Sequence, residues 1–372
     1  SRTYLLEEST QILENNANVE IIDNQQNTYT FSQNNDGIYV SDIEFQAEPN
    51  IAYKLLITTN NGKDYSSNEQ LLTPISQIDN LYAELVNDEE NGQGVQVFVD
   101  SDNSNAEAEY FRYEYEETYK IVAPNTYPFE ITFSNYVEIG TFIGITVFYD
   151  IGFIPKTQEE ETCFVSDLNK GIIQTFTSDL SENNVSRLPI RFIPEEKGSD
   201  VSDISIIRDR YSILVKQYVQ NTEAYTFYKT ISDLGNNESV LSENQPGFVQ
   251  GNLMSLNTNK EKIVGFFEVS SVSKRRIFFN YSEFNIPQPD YFYECDLQEL
   301  DYNDNTPPLG DDDANERYLM YHLVTRKGYE LVEYSEDIYT LARQECVNCT
   351  SVGSNIQPDF WEDWLWLKKT TY

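Results

Sequence analysis

The chain has 372 residues, long enough for two or three domains, and 25 Lys plus Arg against 62 Asp plus Glu give a formal net charge of −37. That charge repels phosphate backbones and anionic headgroups, so it argues against nucleic-acid binding and against docking on acidic lipid. With 27 Tyr, 21 Phe and 3 Trp the composition is aromatic-rich, which marks a folded anionic protein and not an acidic disordered chain.

Read in chain order, the apolar period is mostly two. No run of about 18 apolar residues occurs, and so no transmembrane helix is expected. Ser1 opens without a basic and apolar leader, and Thr3 to Leu6 already read as strand; the chain is expected to start inside a mature domain. Residues 19–23 and 28–31 alternate on either side of an Asn24-Gln25-Gln26-Asn27 connection and predict a hairpin. Residues 38–40 follow Asp36-Gly37, and residues 53–58 turn at Asn60-Asn61-Gly62 toward Tyr65, the strongest kind of short hairpin signal. Residues 1–75 are therefore expected to form an immunoglobulin-like β-sandwich, N-terminally incomplete and closed by Thr73-Pro74, with residues 76–372 as a larger β-rich domain. Strands are predicted there at 95–99, 110–119, 140–149, 211–218, 263–269, 276–279 and 317–325. One helix stands out, with Thr222 as N-cap, an apolar stripe of Ala224, Phe227, Tyr228 and Ile231, and Gly235 as its end. The expected class is all-β with one or two short helices.

Few residues offer chemistry. The single histidine, His322, lies in an alternating stretch and reads as a strand residue, which leaves triads and histidine-rich zinc sites without their essential member. Carboxylate pairs of the glycosidase kind carry no signal in a chain with 62 acids. Two oxygen-rich loops could hold calcium. One contains Asp100, Asp102, Asn103 and Asn105, and the other Asp301, Asn303, Asp304 and Asn305 followed by Asp311, Asp312 and Asp313. The first lacks the glycine and bidentate glutamate of an EF-hand loop, with Phe111 where the glutamate would stand, and plain acidic loops explain both. No cofactor is expected. Aromatic alternation at Tyr110, Phe111, Tyr113 and Tyr115 and at 291–293 suits sheet packing, interfaces or sugar stacking.

The cysteines are Cys163, Cys295, Cys346 and Cys349. A four-cysteine zinc site would show a second Cys-x-x-Cys, and a thioredoxin-like centre would need a βαβ setting. Two disulfides in an extracytoplasmic protein fit better. Three connectivities are open, and Cys346–Cys349 with Cys163–Cys295 is the expected one. The short loop would fix a tight turn that lets Phe360 and Trp361 pack back onto the second domain.

An ordered series of segments carries a resemblance: Tyr211 through Tyr218, Glu223-Ala224-Tyr225-Thr226-Phe227, Gln245-Pro246, Gly251-Asn252, Val264-Gly265-Phe266-Phe267 and Lys274-Arg275-Arg276-Ile277. The closing stretch adds Cys346, Cys349, Gly353, Asn355 and Pro358-Asp359-Phe360-Trp361, and residues 19–39 agree as well. The sequence resembles the uncharacterised outer-membrane lipoproteins of Bacteroidota classed as domain of unknown function 4249. The resemblance implies a signal peptide and lipidated cysteine upstream, a place on the cell-surface face of the outer membrane, and a TonB-dependent transporter as partner. It assigns no catalytic residues. The expected function is a non-catalytic, surface-exposed lipoprotein acting as partner or ligand-capturing lid of that transporter. The alternative is an accessory subunit of an outer-membrane machine for barrel assembly, lipoprotein export or secretion.

Overall fold

The computed structural model describes residues 13–89, 91–101, 108–141, 144–177, 184–195, 203–235, 249–258, 260–306 and 315–362. Within them antiparallel strands dominate, most with β-branched or aromatic residues at alternate positions, and helices are few.

The first unit contains β1 (Asn18–Asp23), β2 (Thr28–Gln33), β3 (Tyr39–Ser41), β4 (Ala52–Thr58), β5 (Asp64–Ser67) and β6 (Gln70–Leu71). The expected β1–β2 hairpin is present, pairing Val19 with Phe31 and Ile22 with Thr28. Its connection is closed by the Asp23 carboxylate, which accepts hydrogen bonds from the backbone N–H groups of Gln25 (2.9 Å) and Asn27 (2.8 Å). The β4–β5 turn uses Gly62 at φ 77, the left-handed conformation that glycine adopts without steric cost. These strands are hydrogen-bonded as one antiparallel sheet, with β6 pairing β4 beside β5. A strand from far along the chain, β16 (Leu253–Ser255), forms the edge of that sheet next to β5. Thr73 joins this unit to the central strands: its Oγ1 donates to the Val219 carbonyl (2.9 Å) and accepts from the Ser271 N–H (2.9 Å).

The central unit comprises β7 (Asn80–Asp88), β8 (Gly92–Ser101), β9 (Tyr110–Val122), β12 (Thr162–Leu168), β13 (Ile173–Phe176), β14 (Val185–Pro194), β15 (Arg210–Gln220) and β17 (Val272–Phe279). One sheet runs β14-β8-β7; the other runs β12-β9-β15-β17, with β13 also on β9. Their inner faces meet in the main core, where Val95, Val97 and Val99 of β8 lie against Phe111, Tyr113, Ile213 and Val215. A polar network crosses this core. The Tyr113 hydroxyl donates to Gln217 Oε1 (3.0 Å), whose amide nitrogen reaches Ser76; the Glu117 carboxylate accepts from Tyr211 (2.6 Å) and Arg191 Nε (3.0 Å). These buried polar groups are paired, as burial requires.

Between β9 and β12 the chain makes a long hairpin, β10 (Phe129–Thr141) and β11 (Gly144–Pro155). The single strand expected over 140–149 thus takes in the end of β10 and the first half of β11. This hairpin forms a second, tyrosine-rich core with β18 (Gln298–Asp301), β19 (Tyr329–Ser335), β20 (Ile338–Arg343) and helix α2 (Glu316–Lys327). Tyr136 stacks on Tyr321 at 3.9 Å, and Phe133 and Tyr302 meet Tyr149 edge-on. The other side of the hairpin leaves Val137, Ile139 and Phe148 exposed. Lys156, at its base, ties it to the remainder through Glu160 (2.6 Å) and Glu330 (3.0 Å).

Three expectations fail here. Residues 317–325 are helix α2, not a strand: the Asn315 side chain caps it by accepting from the Tyr318 N–H (2.8 Å), and Gly328 ends it at φ 69. Residues 263–269 are extended but form no ladder, because Asn252 pairs both its amide atoms with the Phe267 backbone (2.8 Å each) in place of a neighbouring strand. Helix α1 (Thr222–Gly235) is present as expected, but its N-cap is Asn221, which accepts from the Ala224 N–H at 2.8 Å. A short helix, α3 (Gln344–Val347), comes directly after β20. No described helix is long and apolar enough to cross a membrane.

Candidate functional site

Strand alternation sends Phe111 and Tyr113 of β9 into the core and turns Arg112, Glu114 and Glu116 to the opposite side of the sheet. In the antiparallel register Arg112 opposes Tyr218 and Glu114 opposes Lys216 on β15, and Lys216 in turn opposes Lys274 on β17. Helix α1 lies over one end of this surface. Its Tyr228 and the strand residue Tyr218 hold the Arg112 guanidinium between their rings, with centroids 4.7 Å and 4.5 Å away. Arg112 also ion-pairs with Glu114 and with Glu268 (2.6 Å). The Tyr218 hydroxyl donates to Glu114 (3.0 Å), and Gln220 donates to Glu268 (3.1 Å). Burial lowers the Arg112 pKa, but the two glutamates more than offset it, so the guanidinium is held charged. Burial first, and then the Glu114 charge, push the Tyr218 hydroxyl up to about 12.

Beside this clamp β9 changes partners. Strand β12 pairs it from Glu116 onward and β13 pairs it up to Tyr113, which leaves Glu114 and Tyr115 to the connecting loop. Asn169 substitutes for a strand there, accepting from the Tyr115 N–H (2.8 Å) and donating its own N–H to the Tyr115 carbonyl (3.0 Å). The loop, the sheet and α1 enclose a cavity of about 420 Å³, lined by Arg112, Glu114, Leu168, Ile172, Lys216 and Tyr228 among others. Lys216 is partly buried, and among the described residues its ammonium makes no ion pair or hydrogen bond. A larger cleft of about 590 Å³ lies where the first unit meets β9 and α1. It is lined by Glu69, Glu109 and Glu223 with no cation among its described residues, and its Asn221 is already engaged by Gln70 (2.7 Å) and the helix cap.

The residues singled out from sequence stand elsewhere. Asp100 is on β8, where its carboxylate accepts from the Arg187 N–H (2.7 Å) and the Tyr82 hydroxyl (3.4 Å); Asp102, Asn103 and Asn105 lie outside the described residues. Asp311, Asp312 and Asp313 also lie outside them. Asp301 and Asp304 accept from the N–H groups of Asn303 (2.8 Å) and Thr306 (3.2 Å), and Asn305 pairs with both backbone atoms of Val147. Among the described residues no three His, Cys, Asp or Glu side chains converge as metal ligands.

His322 is on helix α2, its ring tilted against that of Tyr318 with centroids 4.1 Å apart. Burial and then Arg326 lower its pKa, with Glu138 opposing. A histidine with a depressed folded value lends its stability above the unfolded pKa of about 6.5, and that stability is lost as pH falls through the folded value. Replacing His322 by Phe is expected to flatten the stability profile between pH 7 and 5; urea midpoints measured across that range check it, and an unchanged slope would refute it.

The four cysteines are all paired, but not as expected. Cys163 joins Cys349 and Cys295 joins Cys346. The reason is that Cys346 and Cys349 face different places: Cys346 sits with Ala342, Val347 and Cys295, whereas Cys349 belongs to the main core. Trp361 nonetheless packs back as anticipated, edge-on to Phe164 (4.9 Å) and Phe278 (5.6 Å), and Phe360 lies under Arg276 (3.5 Å).

The family model described as Domain of unknown function (DUF4249) matches residues 1–276. The chain belongs to this family. Arg112, Lys216, Tyr228 and Glu268 all fall within the matched span, and the Cys346-to-Trp361 segment lies beyond it. No curated protein and no solved structure matches the chain. The Arg112–Lys216 surface was missed in the sequence, where its one signal is the run Arg112, Glu114, Glu116 of charged residues alternating with buried aromatics.

Proposed function

We propose that this member of the DUF4249 family is a non-catalytic, lipid-anchored protein on the cell-surface face of the outer membrane, where it partners a TonB-dependent transporter and helps capture its ligand. The observation that carries the reading is the cavity beside α1: a concave site with an aromatic wall and a lysine unpaired among the described residues is built to hold a small molecule. Two disulfides suit an oxidising, extracytoplasmic compartment. The exposed Val137, Ile139 and Phe148 of the long hairpin supply an apolar surface for a protein partner. Gentle purification of the native protein from membranes is expected to bring down a TonB-dependent barrel in stoichiometric amount. Recovery alone, or with components of an assembly, export or secretion machine and no transporter, would replace this reading with that of an accessory subunit.

A further inference from the structure

We propose that the cavity between helix α1 and the β12–β13 loop is a binding site for a small monoanion with a flat apolar body, of the aromatic monocarboxylate class, with Lys216 as its charge anchor and Tyr228 as its stacking surface. The proposal rests on the ligand-capture half of the function proposed above and makes it chemically specific.

The first argument is electrostatic. Lys216 is partly buried, and a chain with 62 acids has ample means to set a carboxylate beside its ammonium. Lys216 has none among the described residues. The nearest candidate in register, Glu114, is already committed, with one oxygen on Arg112 and the other on the Tyr218 hydroxyl. Lys274, opposite Lys216 on β17, and Lys170, in the loop that walls the cavity, are exposed and likewise have no carboxylate at ion-pair distance among the described residues. Lys216 thus lines the cavity, with Lys170 on the adjoining loop and Lys274 on the next strand, and none of the three has a carboxylate partner among the described residues of a protein whose net charge is −37. The long-range field disfavours polyanions such as nucleotides, while the local field focuses a single negative charge into the cleft.

The second argument is shape. Arg112 holds one face of Tyr228 by a cation–π contact, so the ring is fixed in place as a wall. Ile172 and Leu168 provide the apolar surface of the loop side. The Tyr228 hydroxyl has no hydrogen-bond partner among the described residues and remains available to a ligand oxygen. A volume of about 420 Å³ lies in the range of small-molecule sites and excludes a folded polypeptide segment. Both polar ends of the Asn169 amide are occupied within the loop, by the Tyr115 N–H (2.8 Å) and the Gly171 carbonyl (2.7 Å), so recognition falls to Lys216 and Tyr228.

Fluorescence titration of the purified protein with 2-naphthoate tests this. Saturable binding at one site is expected, with an affinity at least tenfold better than that for the uncharged 2-naphthamide. Lys216→Met should lose at least tenfold for naphthoate and little for the amide, Lys216→Arg should retain most of the affinity, and Tyr228→Leu should weaken both probes. Absence of naphthoate binding, equal affinity for acid and amide, or wild-type affinity in Lys216→Met would each overturn the site. The acid-to-amide comparison needs only the wild-type protein and stands even where a variant fails to fold. Because binding is read on the isolated protein, a negative result removes this site and leaves co-purification with a transporter as a separate question.

Discussion

Replacing Cys163 and Cys349 together by serine is expected to destabilise the protein by about 5 kcal/mol, the chain-entropy value for a loop of this size, against about 4 kcal/mol for the Cys295 and Cys346 pair. The sequence separations that set this order are 186 and 51 residues. The larger loss has a structural side as well. Cys163–Cys349 fastens the closing segment to the edge of β12, where Phe164 and Ser354 exchange backbone hydrogen bonds of 2.8 and 3.0 Å. Without it Trp361 leaves Phe164 and Phe278, and Phe360 leaves Arg276. Denaturant titration of the two double variants measures the difference; a loss below about 1 kcal/mol for the Cys163 pair would contradict the account. A single Cys163→Ser change also reads the connectivity directly. The observed nested pairing leaves Cys349 open to alkylation, whereas pairing of Cys346 with Cys349 would leave Cys295.

How far the sequence reveals this molecule depends on the range of the interactions involved. The β1–β2 and β4–β5 hairpins were legible because their signals, alternation and an Asn-rich or Asn-Gly turn, are local. Helix α2 carries local signals too, with Asn315 before it, Glu316 in its first turn, Arg326 and Lys327 in its last and Gly328 after it. The alternation at 319–324 misled, since a six-residue window cannot separate the two periods. The residues that carry the family resemblance are largely residues of close approach. A Cβ on Gly251 would fall 1.6 Å from the Gly265 carbonyl oxygen, and one on Gly353 would meet Phe164 O at 3.0 Å. The Asn252 amide replaces a strand and the Asn355 amide donates to the Glu159 carbonyl (2.8 Å). Such motifs report folding and are silent about ligands. The cavity was not legible, because Arg112, Leu168, Lys216 and Tyr228 are brought together only by the register of β9 on β15 and by the seat of α1. The disulfide pairing was not legible for the same reason: adjacent cysteines in sequence belong to separate cores.

Arg112→Met is expected to cost about 3–5 kcal/mol, the range for removing one member of a buried ion pair. The arginine side chain is 11 % exposed and that of Glu268 15 %, so Glu268 would be left as a largely buried charge with Gln220 as its remaining partner among the described residues. Glu114, 40 % exposed, keeps water and contributes less. Met fills much of the space between Tyr218 and Tyr228, so lost packing is the smaller part of the effect. A second substitution separates the two parts. The double change Arg112→Met with Glu268→Gln removes the orphaned carboxylate and should recover part of the stability; a double variant as unstable as the single one would assign the loss to packing. It should not restore the ligand site, because Tyr228 then stands without the cation that fixes its ring. Full naphthoate affinity in the double variant would show that the arginine clamp serves the fold alone.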